Sequence, residues 1–287
     1  MQNEKTILNE EWNPLENFMT PAILNVPIFC GEPRIIHVSK SHDLFGEDVL
    51  DEFLPEVFAV IADTPQHQFL IKTIFPERMR AVLRDDVFFE AVLSQAKSAY
   101  GLDLCFKDWP LKNVWIGVEI NDQKTAQERI PLLMQTPAAI RWVSVQPLLG
   151  PLDLRRIDGG YPWIGGNRGD GGKFNGIIDW VVVSGEHGED AKPMHPDWAF
   201  SLRDQCEEAV IPLNFESWGE WCSAGGDGFG THPGQFAWIN SQGEFLDSPP
   251  QDEDADCITV KRVGKDVTGR ILGGRVYNEY PVSIVSK

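Results

Sequence analysis

The sequence has few cysteines, and their spacing matches no metal or disulfide motif. Cys30, Cys105, Cys206, Cys222 and Cys257 are odd in number and include no CxxC pair. Structural zinc sites and iron–sulfur clusters are held by closely spaced cysteines, which this chain does not provide. We therefore predict free thiols in a reducing compartment and no metal site.

Basic residues are scarce relative to acidic ones. Lys and Arg together number 25 against 43 Asp and Glu, which gives a formal net charge of −18 at pH 7. Proteins that bind nucleic acid without sequence preference need a basic surface to neutralise phosphates. The charge balance predicts no broad, non-specific binding of nucleic acid. A local basic groove is still compatible with this net charge. The sequence identifies no other partner.

Long hydrophobic runs and nucleotide-binding motifs are also missing. No apolar run approaches the roughly 18 residues of a transmembrane helix, and the first residues are polar and acidic. We therefore expect a cytoplasmic protein without a membrane span. No GxGxxG follows a predicted strand, and neither a P-loop nor a GxSxG motif occurs, which argues against Rossmann, P-loop and α/β-hydrolase chemistry.

What the chain does contain is a repeated alternation of apolar strands and amphipathic helices. We predict strands over 34–38, 68–71, 113–120, 140–145, 177–183 and 210–215 and helices over 47–63, 76–100 (with a break near Asp85 and Asp86), 125–133 and 197–209. Strands of continuous β-branched residues, such as Ile177–Val183, are typical of a parallel sheet covered on both faces. The pattern predicts an α/β fold with a parallel-sheet, partial TIM-like barrel, and a doubly wound open sheet is the alternative.

Gly-rich and loop-rich segments interrupt this pattern. Residues 159–176 form a predicted Gly-rich insertion, and residues 222–256 form a predicted long loop with little structure of its own. The predicted organisation is an N-terminal segment (1–32), the partial barrel (33–221) and a loop-rich C-terminal extension packed on the barrel (222–287).

Polar residues gather where the predicted strands end, which is where parallel α/β proteins place their chemistry. These strand-end residues are Ser39, Ser41, His42, Asp43, Lys72, Thr73, Glu119, Asn121, Asp122, Ser144, Gln146, Glu186, His187 and Glu216. We select His42, Asp43, Lys72 and Glu186 as catalytic candidates and Ser41, Glu119, Gln146 and His187 as ligand-binding candidates. Asp43 beside His42 fits an acid/base pair, and an Asp before an apolar helix is more often a helix cap. Lys72 fits either an anion site or a structural ion pair.

An ordered set of motifs over nearly the whole chain resembles one known family. The motifs are WNP (12–14), SHDLF (41–45), TPQH (64–67), PERM (76–79), NVWIGV (113–118), RWVS (141–144), PLLGP (147–151), DWVVVSGE (179–186), PMHPDW (193–198), RDQC (203–206) and the ending from Gly269 to Pro281. They are similar to those of a phage- and prophage-associated family of uncharacterised function with a radical SAM-like barrel, distantly similar to spore photoproduct lyase. A phage-encoded protein would lie in the host cytoplasm.

The resemblance implies a [4Fe–4S] cluster and S-adenosylmethionine as cofactors, held by a Cys-rich loop after the WNP motif. Here the stretch from Pro14 to Pro33 contains a single cysteine, Cys30, whereas the cluster needs three thiolates. We therefore predict a divergent member without the cluster and without a cofactor.

Other positions also depart from the pattern of that family. Gln146 replaces a Glu, SGEHG (184–188) replaces GGESG, Lys192 replaces an Arg and ES (216–217) replaces Lys-Gln. Lys192 joins the ligand-binding candidates on the strength of the resemblance. The change from Lys to Glu at position 216 would repel the anionic ligand of the ancestor.

Three functions stay open on this evidence. The first is a non-catalytic binding or phage accessory protein without a cluster. The second is a radical SAM-type enzyme acting on nucleic acid or a nucleotide, with the cluster segment missing from this chain. The third is a metal-dependent or acid/base enzyme that uses His42, Asp43, Glu186 and His187.

Overall fold

Seven strands, arranged in chain order, form the main sheet of the protein. They are β1 (Asn9–Trp12), β2 (Ile35–Val38), β3 (Gln68–Thr73), β4 (Val114–Ile120), β5 (Ile140–Val145), β6 (Trp180–Ser184) and β7 (Leu213–Ser217). The computed structural model describes residues 9–12, 24–38, 42–155, 163–164, 178–223, 233–250 and 256–281. The strands pair in parallel, with Leu70 opposite Trp115 and Val182 opposite Asn214.

This strand order confirms the predicted α/β class with a parallel, half-barrel sheet. The doubly wound alternative is wrong, because a doubly wound sheet reverses its strand order at a switch point and this sheet does not. The Gly-rich insertion over 159–176 lies outside the described residues apart from Trp163 and Ile164, which are both buried.

The helices lie between the strands in the chain, as the apolar periodicity predicts. They are α1 (Leu54–Asp63), α2 (Pro76–Leu83), α3 (Asp86–Tyr100), α4 (Gln123–Met134), α5 (Pro196–Ala209) and the short α6 (Lys265–Thr268), with 3₁₀ turns at Val26–Phe29 and Phe106–Asp108. The predicted break between α2 and α3 is confirmed, because the Asp85 side chain accepts a hydrogen bond from the Val87 N–H and caps α3. Helix α1 begins at Leu54, seven residues later than predicted.

The late start of α1 has a local cause. Residues 47–53 form turns, and the Arg78 guanidinium donates hydrogen bonds to the carbonyls of Gly46 and Val49. The Gly46 carbonyl also accepts from the Val49 N–H at 3.1 Å, three residues on, which is the bond of a turn and not of an α-helix. Of the apolar residues in this stretch, Val49 is buried in a turn, whereas Leu50 is 54% exposed, so they do not form one buried helix face.

The prediction of a largely structureless loop over 222–256 is wrong. A four-stranded antiparallel sheet with the order β10-β9-β11-β8 contains β8 (Trp221–Ser223), β9 (Gln235–Asn240), β10 (Phe245–Leu246) and β11 (Cys257–Arg262). A two-stranded pair, β12 (Ile271–Leu272) and β13 (Arg275–Val276), follows. Gly, Pro and Asp residues dominate the composition of this region, so the sequence does not indicate its short strands. Within β9, the alternation of buried and more exposed side chains is seen at Ala237 and Ile239, which are both buried.

The chain divides into two compact units. The first unit comprises 1–118 and 131–142, and the second comprises 119–130 and 143–287. Within the first unit, Gly117 of β4 leaves room for the Trp142 indole, whose Nε1 donates to the Trp115 carbonyl at 3.2 Å. A side chain at position 117 would overlap that ring. In the second unit, the Tyr277 and Glu279 backbone hydrogen-bonds to β7 and so extends the strand edge.

Candidate functional site

Polar side chains from the ends of β5, β6 and β7 meet in the second unit. We call these six residues the strand-end cluster: Ser144, Gln146, Ser184, His187, Glu216 and Ser217. Gln146 and His187 were predicted as ligand-binding residues, whereas the three serines and Glu216 were not selected. The cluster lies at the carboxyl ends of parallel strands, as the fold predicts.

One half of the cluster is a chain of hydrogen bonds that ends in a carboxylate. The buried Ser144 hydroxyl donates to Gln146 Oε1 at 2.8 Å, and Gln146 Nε2 donates to Glu216 Oε2 at 2.5 Å. Gln146 is half-buried, and Glu216 is exposed. The serine orients the Gln146 side chain, because it binds the amide oxygen and so leaves the amide nitrogen facing the Glu216 carboxylate. Glu216 is therefore held in place while it still faces solvent.

The other half is a triangle of two hydroxyls and an imidazole. His187 Nε2 lies 3.3 Å from Ser184 Oγ and 3.3 Å from Ser217 Oγ, and the two hydroxyl oxygens are 3.1 Å apart. Ser184 is buried, Ser217 is half-buried and His187 is exposed. Hydroxyl and imidazole groups both donate and accept hydrogen bonds, so this triangle can bind a polar ligand or relay a proton.

Two glycines allow the loops after β6 and β7 to come close enough to form the cluster. A Cβ at Gly185 would overlap the Trp218 carbonyl, and Gly219 has a φ of +81° beside the Glu186 backbone. The Gly185 N–H donates to the Ser217 carbonyl at 2.9 Å, and the Glu220 N–H donates to the Glu186 carbonyl at 3.0 Å. Backbone contact this close requires residues without side chains. The positions of His187 and Ser217 therefore depend on this glycine pair.

Glu186 and Lys192 are engaged in holding a loop. The Lys192 N–H donates to Glu186 Oε2 at 2.7 Å, and this closes the segment between them. The Lys192 side chain is exposed, and Glu186 is half-buried. A catalytic role for Glu186 and a binding role for Lys192 stay predictions. Glu119, another ligand-binding candidate, is half-buried, and its carbonyl accepts from Arg129 at 2.6 Å.

Asp43 makes contacts typical of a structural carboxylate. Its Oδ1 accepts from the Phe45 N–H at 2.9 Å, and its Oδ2 accepts from Thr73 Oγ1 at 2.9 Å and the Ile74 N–H at 2.8 Å. These bonds tie the turn after β2 to the end of β3. Asp43 does not cap a helix, because α1 begins at Leu54. Its contacts stabilise a turn instead, and an acid/base role of Asp43 stays a prediction.

The remaining candidates of the first unit stay predictions. His42 is exposed, and Lys72 is half-buried near the end of β3. Ser41 lies outside the described residues. The use of His42 and Asp43 together with Glu186 and His187 in one acid/base site likewise stays a prediction.

The residues do not fit an iron–sulfur cluster. All five cysteines are described, and they lie on separate segments, two of them buried. Cys206 is enclosed in α5, where burial raises the pKa of its thiol to about 12 and thus disfavours the thiolate that binds metal. In the described part of the chain, no group of three His, Cys, Asp or Glu side chains is arranged to hold a metal ion.

Sequence reasoning missed part of the cluster for identifiable reasons. Ser184 and Ser217 each occupy the last position of a strand, where a small polar residue is also compatible with a simple strand end. The sequence places Glu216 at a strand end but does not distinguish it from the other polar residues there. A pairing of Gln146 with Glu216 requires that their strand ends be close, and this follows from tertiary structure alone.

A family model described as a protein of unknown function, DUF5131, matches residues 1–281. The chain belongs to this family. The predicted membership of an uncharacterised family is thereby confirmed. No curated protein matches the chain. In the part of the chain that the structure describes, no helix is both long and apolar enough to cross a membrane.

Proposed function

We propose that the protein is a cluster-less, phage-associated relative of radical SAM-type barrel proteins and that it binds a small polar ligand at the strand-end cluster. The observation that carries this proposal is the location of the sequence departures. Of the six substituted positions, 146, 184, 187, 216 and 217 belong to two hydrogen-bonded groups that adjoin at Glu216 and Ser217, and Lys192 lies in the loop after His187. Scattered drift would not collect these changes at one place.

The charge of the cluster supports a ligand that donates hydrogen bonds or carries positive charge. Glu216 stands where the resembled family has Lys, and Gln146 stands where it has Glu. Gln146 and Glu216 are hydrogen-bonded to each other, so the two changes compensate locally. An exposed carboxylate with a fixed orientation attracts ammonium or N–H groups and repels anions.

The thiols support a function without radical chemistry. Between Pro14 and Pro33, Cys30 is the single cysteine, and its Sγ lies 3.5 Å from the Val26 carbonyl. A [4Fe–4S] cluster that binds S-adenosylmethionine needs three thiolates on one loop. One thiolate cannot replace three, so the proposal contains no step through such a cluster.

Ligand binding can be tested with two matched libraries of small amines and small carboxylates, by ligand-observed NMR followed by calorimetry. We expect hits among the amines and about a tenfold loss of affinity in Glu216→Gln, which removes the charge and keeps the shape. Asp247→Asn is the control, because Asp247 is an exposed acid of the same unit outside the cluster. Preferential binding of carboxylates, or equal affinity in Glu216→Gln, would contradict the proposal.

The absence of a cluster can be tested separately. The full chain is reconstituted anaerobically with iron and sulfide, and absorbance is read near about 400 nm, where [4Fe–4S] clusters absorb. We expect no stoichiometric absorbance. A stoichiometric cluster that is lost in Cys30→Ser would instead support the radical SAM-type enzyme acting on nucleic acid or a nucleotide.

A further inference from the structure

The first unit contains a cavity of about 220 Å³ that plays no part in the strand-end cluster. It lies between the end of α2, the start of α3 and the segments around positions 109 and 137. Its lining residues are Leu83, Arg84, Asp85, Asp86, Phe89, Trp109 and Pro137. We call it the aromatic cavity. The volume is below that of a drug-sized site and is sufficient for a small organic molecule.

The inner wall of the aromatic cavity is apolar and is formed by packed rings. The Trp109 ring lies 5.3 Å from the Phe89 ring and 5.7 Å from the Phe58 ring, centroid to centroid. Its Nε1 donates to the Leu83 carbonyl at 3.3 Å, which fixes the ring plane. An adjoining space of about 10 Å³, lined by apolar residues, shares Leu83, Trp109 and Pro137 with the cavity. The floor therefore suits an apolar or aromatic group.

The rim of the aromatic cavity is charged, with an excess of negative charge. Asp85 and Asp86 are both exposed, and Arg84 is the one basic residue among the lining residues. The cap bond from the Val87 N–H to Asp85 Oδ1, at 2.9 Å, holds that carboxylate at the rim. Two carboxylates and one guanidinium give the lining a net charge of −1 (1 − 2). An apolar floor below an acidic rim is complementary to an amphipathic cation.

We propose that the aromatic cavity binds a small organic ammonium compound. The apolar body of the ligand lies against Trp109 and Phe89, and its ammonium group meets the carboxylates of Asp85 and Asp86. Trp109 contributes apolar contact area for the body of the ligand. This site is independent of the proposed function, because it shares no residue with the strand-end cluster.

The test uses the full chain and the probe 2-phenylethylammonium, with binding measured by ligand-observed NMR and titration calorimetry. We expect a Kd of about 1 mM, as is usual for a ligand of this size. The matched probe 3-phenylpropionate carries the opposite charge and is expected to bind at least about tenfold more weakly. Equal or tighter binding of 3-phenylpropionate, or no binding of 2-phenylethylammonium at about 10 mM, overturns the proposal.

Variants then locate the site. Asp85→Asn with Asp86→Asn removes both charges, and Asn at position 85 still caps α3, so the fold is retained. We expect about a tenfold weaker affinity for 2-phenylethylammonium in this double variant. Glu90→Gln, an exposed position of α3 outside the cavity, is the control and is expected to bind normally. Glu216→Gln is also expected to bind normally, and a loss in that variant would place the probe in the strand-end cluster and overturn the assignment.

Discussion

At the scale of single residues, Asp43 shows how a carboxylate beside a histidine can serve the fold. We expect Asp43→Ala to lower the free energy of unfolding by about 2–4 kcal/mol, because three hydrogen bonds to its carboxylate are lost. Urea denaturation followed by circular dichroism measures this value. Glu47→Ala, at an exposed position in the same loop, is the control and should change it by about 0.5 kcal/mol or less. A loss below about 1 kcal/mol in Asp43→Ala would show that the fold does not depend on this carboxylate and would favour the acid/base role.

His195 predicts a dependence of stability on pH. Its ring is 2% exposed, and burial lowers the pKa of the imidazole below its usual 6.5, although Asp197 and Asp256 act in the opposite direction. Because the unfolded chain takes up a proton near pH 6.5 and the folded chain does so only at lower pH, the stabilisation is present above that pH and is lost as pH falls.

His195→Asn tests this dependence while it retains a cap for α5, since His195 Nδ1 accepts from the Asp197 N–H in the wild type. The free energy of unfolding is measured at about pH 7.5 and about pH 5.5, on either side of the usual histidine pKa. We expect the decrease between these values to be smaller in His195→Asn than in the wild type. An identical decrease in both proteins would show that His195 does not titrate in this range.

At the scale of structural elements, the close approach of the loops after β6 and β7 can be tested at one glycine. Gly185→Ala places a methyl group against the Trp218 carbonyl, and we expect it to cost about 3 kcal/mol and to abolish ligand binding at the strand-end cluster. Gly150→Ala is the control, because its Cβ would meet only Asp122 Cβ at an ordinary 3.6 Å. Thermal unfolding and the amine titration together check both effects. A stable Gly185→Ala variant with normal binding would contradict the role of the glycine pair.

The elements also show what the sequence can predict. Strand β5 (Ile140–Val145) matches its predicted bounds, because β-branched and aromatic residues, which favour strands, make up most of it. The start of α1 was predicted wrongly, since the apolar spacing before Leu54 is compatible with both a helix and buried turns. The strands β8 to β11 were missed because short strands in a Gly- and Pro-rich region depend on partners distant in the chain.

For the candidate site, the fold class predicts at which edge of the sheet the site lies, but it does not predict which residues belong to the site. The rule that function gathers at strand ends selects Gln146 and His187, which the structure places in the strand-end cluster, and their role in ligand binding stays a prediction. It could not separate them from Asp43, because all three are polar residues at strand ends. The difference lies in their contacts: three donors occupy the Asp43 carboxylate, whereas Glu216 of the cluster stays exposed with one bond to Gln146.

At the scale of the whole molecule, the net charge of −18 makes a prediction about nucleic acid. Non-specific binding depends on release of counterions from phosphates by Lys and Arg, and a strongly acidic protein repels the phosphate backbone instead. We expect no binding of a short labelled DNA duplex tighter than about 100 μM at about 150 mM salt, as measured by fluorescence anisotropy. Repulsion between like charges weakens as salt screens it, so any residual affinity should not fall as salt is raised. Micromolar binding that weakens steeply with added salt would instead reveal a local basic groove and would favour an enzyme acting on nucleic acid.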